Sequence, residues 1–489
     1  MKKSLFLIVP LLLGATSCQF GIANNNSNGG TSADNSVPTL DDALSGSYEE
    51  SEISWPAISE NEKPMKIWVG AESVDFYTEK MGEFEASFEE KYGVNFPKWE
   101  VEKIDTGTSA DVFLQDTAAG ADIFVCAHDN LGKLTAGSSV IAPITDIGLL
   151  TQIATDNSQG FKDIIINEVQ GTKYTFGVPF IAQALVYYYN SSIVSPEQVG
   201  TWEGIMEACA TKGANVRATS ILGADGYNNS FLTLARQVLD DGSTTTSVKI
   251  YEGGVQDACY FSGDDTISVM RWGQDFFSNP NGCDWPSSSG WEIELKDGHS
   301  AGLIGGAWNF AAAQTALGSN FAVAPLPRFT ITADQAYGSI KAGTVFQSGT
   351  FADCKVLVMK KGSVYADYLQ PVMKFLSSKE IQEQSFERCA NLPAYKNAAD
   401  EFEALKATDA NAQTAAAQIK MFEYGIPQPF GVKTKYNTYY YSKSGPDYLK
   451  AILDDKNLKE ADRKFTTAEA IKAELEAICH IWKKGKRPE

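Results

Sequence analysis

The sequence lacks the short motifs that mark common enzyme classes. It contains no HExxH, GxSxG, P-loop or GxGxxG pattern, and its histidines, His128, His299 and His480, are far apart. Those patterns supply metal-bound water, an activated serine or a phosphate-binding loop. Acidic pairs such as Asp240-Asp241 are present, but their loop-like surroundings favour solvated charge over the paired carboxylates of a glycoside hydrolase. We therefore predict no catalytic residue, no metal site and no cofactor.

Paired cysteine motifs and long apolar runs are also missing. Seven cysteines follow Cys18 without any CxxC spacing, so at least one thiol stays unpaired within the chain. After the N-terminus no run is long and apolar enough to span a bilayer. Since single cores stop growing at roughly 250 to 300 residues, a chain of 489 residues predicts two domains or one very large one.

Positive charge is scarce, because 41 Lys and Arg residues face 61 Asp and Glu residues and give a formal net charge of −20. A surplus of this sign repels phosphate backbones and anionic lipid headgroups. Nucleic acid is therefore excluded as a partner, as are polyanionic ligands and binding to membranes through a basic patch.

The N-terminus has the pattern of an export signal. Lysines at positions 2 and 3 precede an apolar run at 5–13, and small residues at 15–17 precede Cys18. This leader resembles a bacterial lipoprotein signal, which implies that residues 1–18 are the signal and that Cys18 carries the lipid, palmitate included. Residues 19–62 are predicted to be a flexible tether, because their first half is rich in Asn, Ser and Gly. The body would then be anchored at the outer face of the cell membrane.

The body is organised around residues 173–190. Two apolar, aromatic-rich runs, at 174–181 and 184–189, are separated only by Ala182 and Gln183. Strands buried on both faces read as continuous apolar runs, so a Gln between two of them favours a ribbon that leaves one buried sheet and enters another. The alternative is one long strand with Gln183 at an exposed edge.

Elsewhere the pattern alternates between strands and helices. Residues 66–69, 122–126 and 301–304 are strand-like, whereas 75–92 and 230–239 are typical of helices. This alternation predicts an α/β fold with largely parallel sheets.

Three of these strands end in similar turns. Glu72, Asp129 and Trp308 each come just after the carboxyl end of a predicted strand, where open α/β sheets bind their ligands. Each also has an ordinary interpretation: Glu72 as a helix-start carboxylate, Asp129 as a turn former and Trp308 as a core residue. The repeated placement nevertheless favours a common binding site.

With these segments the sequence resembles the maltose/maltodextrin-binding proteins, the solute-binding components of ABC importers. The resemblance rests on the order of residues 122–129, 177–190, 201–203, 305–308 and 391–394. It implies a two-lobed periplasmic-binding-protein-like α/β fold, with discontinuous lobes joined by three hinge crossings near residues 182–184, 347–353 and 389–393. Lobe 1 would comprise 63–182 and 354–390, and lobe 2 would comprise 183–353 and 391–489.

The resemblance also implies a set of ligand-binding residues. Ser73, Asn130 and Gln183 stand where the family has a lysine, an arginine and a glutamate, and Cys126 replaces an aromatic platform. The tyrosines between 436 and 441 lie near the family's second stacking residue. The implied contacts are Glu72, Ser73, Asp129, Asn130, Gln183, Trp308, Tyr436, Tyr439 and Tyr440.

The function implied is capture of a neutral, maltodextrin-like oligosaccharide for delivery to ABC permease subunits, by a protein expected to be a monomer. The residue types suit this ligand without the resemblance, because sugars need carboxylates and amides for their hydroxyls and an aromatic face for their C–H patches. A surface adhesin that binds glycans and a glycoside hydrolase are the alternatives.

Overall fold

The computed structural model describes residues 37–45, 55–221, 227–245, 262–285, 290–406, 408–429 and 445–488. From Thr39 onwards the chain forms one compact unit. Its helices are α1 Leu40–Leu44, α2 Val74–Tyr92, α3 Ser109–Gln115, α4 Leu131–Leu134, α5 Ile147–Asp156, α6 Gln159–Asp163, α7 Trp202–Lys212, α8 Ser230–Thr233, α9 Asp264–Ser278, α10 Trp291–Lys296, α11 Phe310–Leu317, α12 Ala366–Leu376, α13 Lys379–Cys389, α14 Ala398–Glu401, α15 Ala410–Phe422, α16 Gly445–Leu453 and α17 Ala468–Lys484.

The strands alternate with these helices, as the sequence predicted. They are β1 Met65–Val69, β2 Trp99–Lys103, β3 Ile123–Ala127, β4 Ile166–Val169, β5 Thr172–Thr175, β6 Val178–Ala184, β7 Val186–Asn190, β8 Thr219–Ile221, β9 Arg236–Gln237, β10 Cys283–Asp284, β11 Gly302–Gly305, β12 Phe321–Ala324, β13 Arg328–Thr330, β14 Val345–Gln347, β15 Thr350–Met359 and β16 Gly425–Ile426.

The first large sheet has the order β16-β15-β3-β1-β2, with β6 also paired to β15. β1 runs parallel to β2 and β3, whereas β15 runs antiparallel to β3 and β6. The prediction of largely parallel sheets is therefore wrong, because β15 enters this sheet directly from the other half of the chain rather than through a helical crossover. Its core contains large buried side chains such as Phe113 and Phe124.

The second large sheet has the order β10-β8-β11-β7-β12. β7 runs antiparallel to both of its neighbours, so this sheet is mixed as well. A separate core covers it, in which Trp202 packs against the rings of Tyr187 and Phe276 at centroid distances of 5.3 and 5.1 Å. Two sheets with separate cores give the two-lobed α/β architecture that the sequence predicted.

The chain crosses between the lobes where the central ribbon was predicted to do so. β6 belongs to the first sheet and β7 to the second, with Leu185 between them. Gln183 is buried, which excludes the alternative of an exposed edge.

The strand β15 makes a second crossing, since Phe351 packs in the second core and Cys354 in the first. The Thr350 hydroxyl accepts a hydrogen bond of 2.9 Å from the backbone N–H of Leu185, which ties the two crossings together. A third crossing lies within α15, because Ala415 belongs to the first core and Met421 to the second.

Residues 389–393, where the resemblance implied the third crossing, contact β6 instead. The backbone N–H of Ala182 donates to the carbonyl of Leu392 at 2.9 Å, and Pro393 forms a bridge with Ile181. Leu392 is therefore part of the first core.

Local sequence explains most element ends, with one clear exception. The helix predicted at 75–92 is α2, which ends at Gly93 in the left-handed conformation that glycine favours. The helix predicted at 230–239 is wrong beyond its first turn, because residues 236–237 form β9 and pair with β14. A tertiary strand pairing has overridden the local helical pattern there.

The described part of the chain has neither a membrane-spanning helix nor a metal-binding cluster. None of its helices has the length and apolar character needed to cross a bilayer. No group of three or more His, Cys, Asp or Glu side chains that could hold a metal ion occurs there either. Cys479 is disulfide-bonded.

Candidate functional site

The turn after β1 places Glu72 and Ser73 differently. Glu72 is exposed on the short 3₁₀ turn Ala71–Ser73, and its carboxylate folds over Gly70, where a Cβ atom would lie 2.3 Å from Oε1. Ser73 is buried, and its hydroxyl accepts a hydrogen bond of 3.0 Å from Nδ2 of Asn391. The structure therefore presents Glu72 to solvent but keeps Ser73 inside the first lobe.

A lysine on the hinge strand lies near Glu72. Lys355 is partly buried on β15, and burial lowers its pKa, while the negative charges of Glu72 and Asp105 act to raise it. Asp105 follows β2, so its carboxylate lies at the same edge of the sheet as Glu72. The sequence analysis did not single out Lys355. The feature of the sequence that could have identified it is a charged residue standing directly beside an apolar, strand-like run.

The turn after β3 carries the next predicted contacts. His128, Asp129 and Asn130 form one 3₁₀ turn, in which Asp129 is partly exposed and the other two are buried. Nε2 of His128 donates to the carbonyl oxygen of Gln428 at 3.0 Å and lies 3.8 Å from Oδ1 of Asp353. The turn of the first lobe is thus tied to the hinge strand and to the segment after β16.

The surroundings of Asp353 shift the pKa of its carboxyl group strongly. It pairs with Gln183 in the register of β15 and β6, and its Oδ1 accepts a hydrogen bond of 2.8 Å from the backbone N–H of Gln428. The pKa of Asp353 is raised from its ordinary 3.8 to about 6, mainly by burial and to a smaller extent by the nearby negative charge of Asp129. His128, the Gln428 N–H and the Tyr227 hydroxyl act in the opposite direction.

Trp308 lies in the second lobe, directly after β11. Its side chain is 49% exposed, so the interpretation as a core residue is wrong. The ring covers Gly306, where a Cβ atom would lie 2.3 Å from the indole. Its edge meets the ring of Tyr227 with 5.6 Å between centroids, and Tyr227 in turn packs against Phe351 at 5.5 Å. The exposed indole is therefore supported from below by glycine and from the side by tyrosine.

These contacts join the predicted residues through the hinge. Asp353 connects to Asp129 and His128 on one side, and to Tyr227 and hence Trp308 on the other. Gln183 lies opposite Asp353 on the neighbouring strand. The arrangement offers carboxylates and amides beside an exposed aromatic face, a combination that can bind hydroxyls and C–H surface together.

The predicted set of site residues and the structure differ in two ways. Tyr436, Tyr439, Tyr440 and the lipidation residue Cys18 lie outside the described residues. Cys126 is buried, and burial raises the pKa of its thiol, so it offers neither an aromatic surface nor a reactive thiolate. Asp353, Lys355 and Tyr227 are the residues that the sequence analysis missed.

The described part of the chain also contains a separate surface groove in the second lobe. It lies between α10 and α11, has a volume of about 460 Å³ and is lined by Ile293, Ala312 and neighbouring residues. None of the predicted contacts lines it.

Comparison with solved structures identifies proteins of the same fold. The chain is similar to the maltodextrin-binding protein MalE1 from L. casei BL23 without ligand, at 18% identity and a TM-score of 0.62, with 86% of this chain and 99% of that chain covered. A cyclo/maltodextrin-binding protein complexed with maltotetraose matches at 18% identity and a TM-score of 0.59, covering 88% and 100%. The maltose-binding periplasmic protein MalE from Listeria monocytogenes, in complex with maltose, matches at 16% identity and a TM-score of 0.59, covering 87% and 98%.

Family membership rests on the sequence itself. No curated protein matches the chain. The model of the bacterial extracellular solute-binding proteins matches residues 84–416, which is more than half of the 489 residues. This match confirms that the resemblance to solute-binding proteins seen in the sequence holds at the level of the family. The chain belongs to the bacterial extracellular solute-binding protein family.

Proposed function

We propose that the protein captures a neutral oligosaccharide between its two lobes and delivers it to the permease of an ABC importer. The observation that supports this most is the exposed indole of Trp308 beside Tyr227, connected through the hinge to Asp129, Gln183 and Asp353. Sugar rings need such a combination of aromatic face and hydrogen-bonding groups.

The charges of the site favour a neutral ligand over an anionic one. The acidic groups around the hinge outnumber the basic ones: Glu72, Asp105, Asp129 and Asp353 stand against Lys355 and His128. An anionic ligand would be repelled by this surplus, whereas hydroxyl groups can donate to carboxylates and accept from Lys355. Two of the similar structures named above hold maltotetraose and maltose, which makes these two sugars the first probes.

Thermal unfolding with maltose and maltotetraose tests the proposal. A ligand that binds only the folded state at 100 times its dissociation constant adds about 2.7 kcal/mol to the free energy of unfolding. We expect the melting temperature of the protein without its leader to rise with the concentration of one of these sugars. Unchanged melting with these and with a wider panel of neutral oligosaccharides would refute the ligand class.

The protein is further proposed to bind sugar without cleaving it. The family comprises binding proteins. Incubation of an oligosaccharide with the purified protein should therefore release no reducing ends. Release of reducing ends at a rate proportional to protein concentration would support the glycoside hydrolase alternative instead.

Anchoring through Cys18 is proposed from the leader and the tether. Cys18→Ala should leave the protein unprocessed or release it from the membrane fraction, because the lipidated residue would be lost. Fractionation of cells that express either variant, followed by detection of the protein, measures this. Replacement of Cys389, which is partly buried in the first lobe, is the matched control and should leave membrane retention unchanged. Normal processing and retention of Cys18→Ala would contradict the anchor.

A further inference from the structure

Asp353 occupies an unusual place for a carboxylate. It is 3% exposed on a strand whose neighbouring residues pack in different lobes, Phe351 in the second core and Cys354 in the first. A buried charge is costly unless other groups compensate for it. A hinge is also the place where one group can contact residues from both lobes, so the position itself suggests a role in their relative arrangement.

The compensating groups come from three separate parts of the chain. The Gln428 N–H donates to Oδ1 at 2.8 Å, from the segment that follows β16. Nε2 of His128 lies 3.8 Å from the same oxygen, at the start of the turn that carries Asp129 and Asn130. Tyr227 approaches from the second lobe, where its hydroxyl acts to lower the pKa of Asp353 and its ring contacts Trp308.

We propose that Asp353 is a positioning residue for ligand binding, whose carboxylate holds the His128–Asn130 turn of the first lobe and Tyr227 of the second lobe where they meet the ligand. The inference rests on the proposed sugar-binding function, since it assigns Asp129 and Trp308 to the ligand. Asp353 itself acts through these neighbours, and the charge of its carboxylate is the feature that holds them.

Charge matters because an ionised carboxylate accepts stronger hydrogen bonds than a neutral acid and accepts them at both oxygens. The titratable groups that act on Asp353 from other elements are His128, Asp129 and Tyr227, and the backbone N–H of Gln428 adds a hydrogen bond. On its own strand, Cys354 and Lys355 are the neighbouring titratable residues. The positive charge of Lys355 faces the negative charges of Glu72 and Asp105. The pKa of Asp353, about 6, lies inside the window from pH 5 to 7.5, so a titration across this window follows its protonation.

The test is calorimetric titration with maltotetraose, or with maltose if it binds more tightly, from pH 5 to 7.5. For the wild-type protein we expect the affinity to fall roughly tenfold as the pH decreases across this range, because the hydrogen bonds to the carboxylate weaken on protonation. Asp353→Asn keeps the shape and the acceptor for the Gln428 N–H but removes the charge. Its affinity should stay near the wild-type value at pH 5 across the whole range.

Asp334→Asn is the matched control, because Asp334 is an exposed carboxylate in the second lobe. It should reproduce the wild-type affinity and pH profile. If Asp353→Asn keeps the wild-type affinity and pH profile of binding, the inference is overturned while the proposed function stands. The same holds if Asp353→Asn changes the melting temperature but leaves the pH profile of binding unchanged. A wild-type protein that binds neither sugar refutes the proposed function, and the inference falls with it.

Discussion

Trp308→Ala is expected to weaken sugar binding by about 2 kcal/mol, roughly 30-fold in the dissociation constant. The reason is the geometry of the side chain, which is half exposed and held in place by Gly306 and Tyr227. A large aromatic surface that is exposed without ligand loses little packing when it is removed, but it forfeits the stacking contact with a sugar ring. Calorimetric titration with maltose and maltotetraose measures the loss.

Two further variants separate binding from folding. Trp308→Phe should recover part of the affinity, since a smaller ring still stacks. Trp272 offers the same change in the core of the same lobe, where its ring stacks on Phe329 with 4.1 Å between centroids. Trp272→Phe should lower the melting temperature and leave the affinity of the folded protein unchanged. An unchanged dissociation constant for Trp308→Ala would remove this residue from the site.

The exposure of Trp308 could not be read from its sequence neighbourhood, although its position could. The strand before it and the glycines at 305 and 306 predicted a turn at the sheet edge, and the structure has β11 followed by the 3₁₀ turn Ala307–Asn309. Whether the indole turns inward or outward depends on what lies around that edge. Tyr227, whose ring contacts the indole, is 81 residues away in the chain.

The central ribbon was predictable for the opposite reason. Its signal is local, because two buried strands in different sheets both read as apolar runs and a single polar residue marks the passage between them. β6 and β7 follow this pattern with Gln183 near their junction. The third crossing had no such signal, since α15 passes between the cores as an ordinary amphipathic helix.

Asp353 and Lys355 were missed because the pattern that identifies strands treats charge as a break. β15 runs from Thr350 to Met359, so both charged residues lie inside a strand rather than at its end. Both charges are tolerated inside the strand through groups distant in sequence, such as His128 and Gln428 for Asp353 and Glu72 for Lys355. Such compensation is visible only after the chain has folded, so reasoning from a single sequence finds the strands and overlooks the charged residues within them.

Asp353→Asn is expected to stabilise the folded protein at neutral pH while weakening ligand binding. Burial raises the pKa of Asp353 from 3.8 to about 6, so the folded state holds this proton more tightly than the unfolded state does. Between these two pH values the folded state binds more protons, and the free energy of unfolding falls as the pH rises. Well above pH 6 the buried charge lowers the free energy of unfolding by its full amount, about 3 kcal/mol.

The asparagine variant avoids this cost, because it carries no charge and keeps the acceptor for the Gln428 N–H. Its gain in the free energy of unfolding over the wild-type protein should be about 3 kcal/mol at pH 7.5 and about 1 kcal/mol at pH 4.5. Urea denaturation at the two pH values measures the difference, with Asp334→Asn as the control that shows no gain at either. Equal or lower stability of Asp353→Asn at pH 7.5 would contradict the account. A gain in stability together with a loss of affinity would indicate that the carboxylate serves binding at a cost to the stability of the fold.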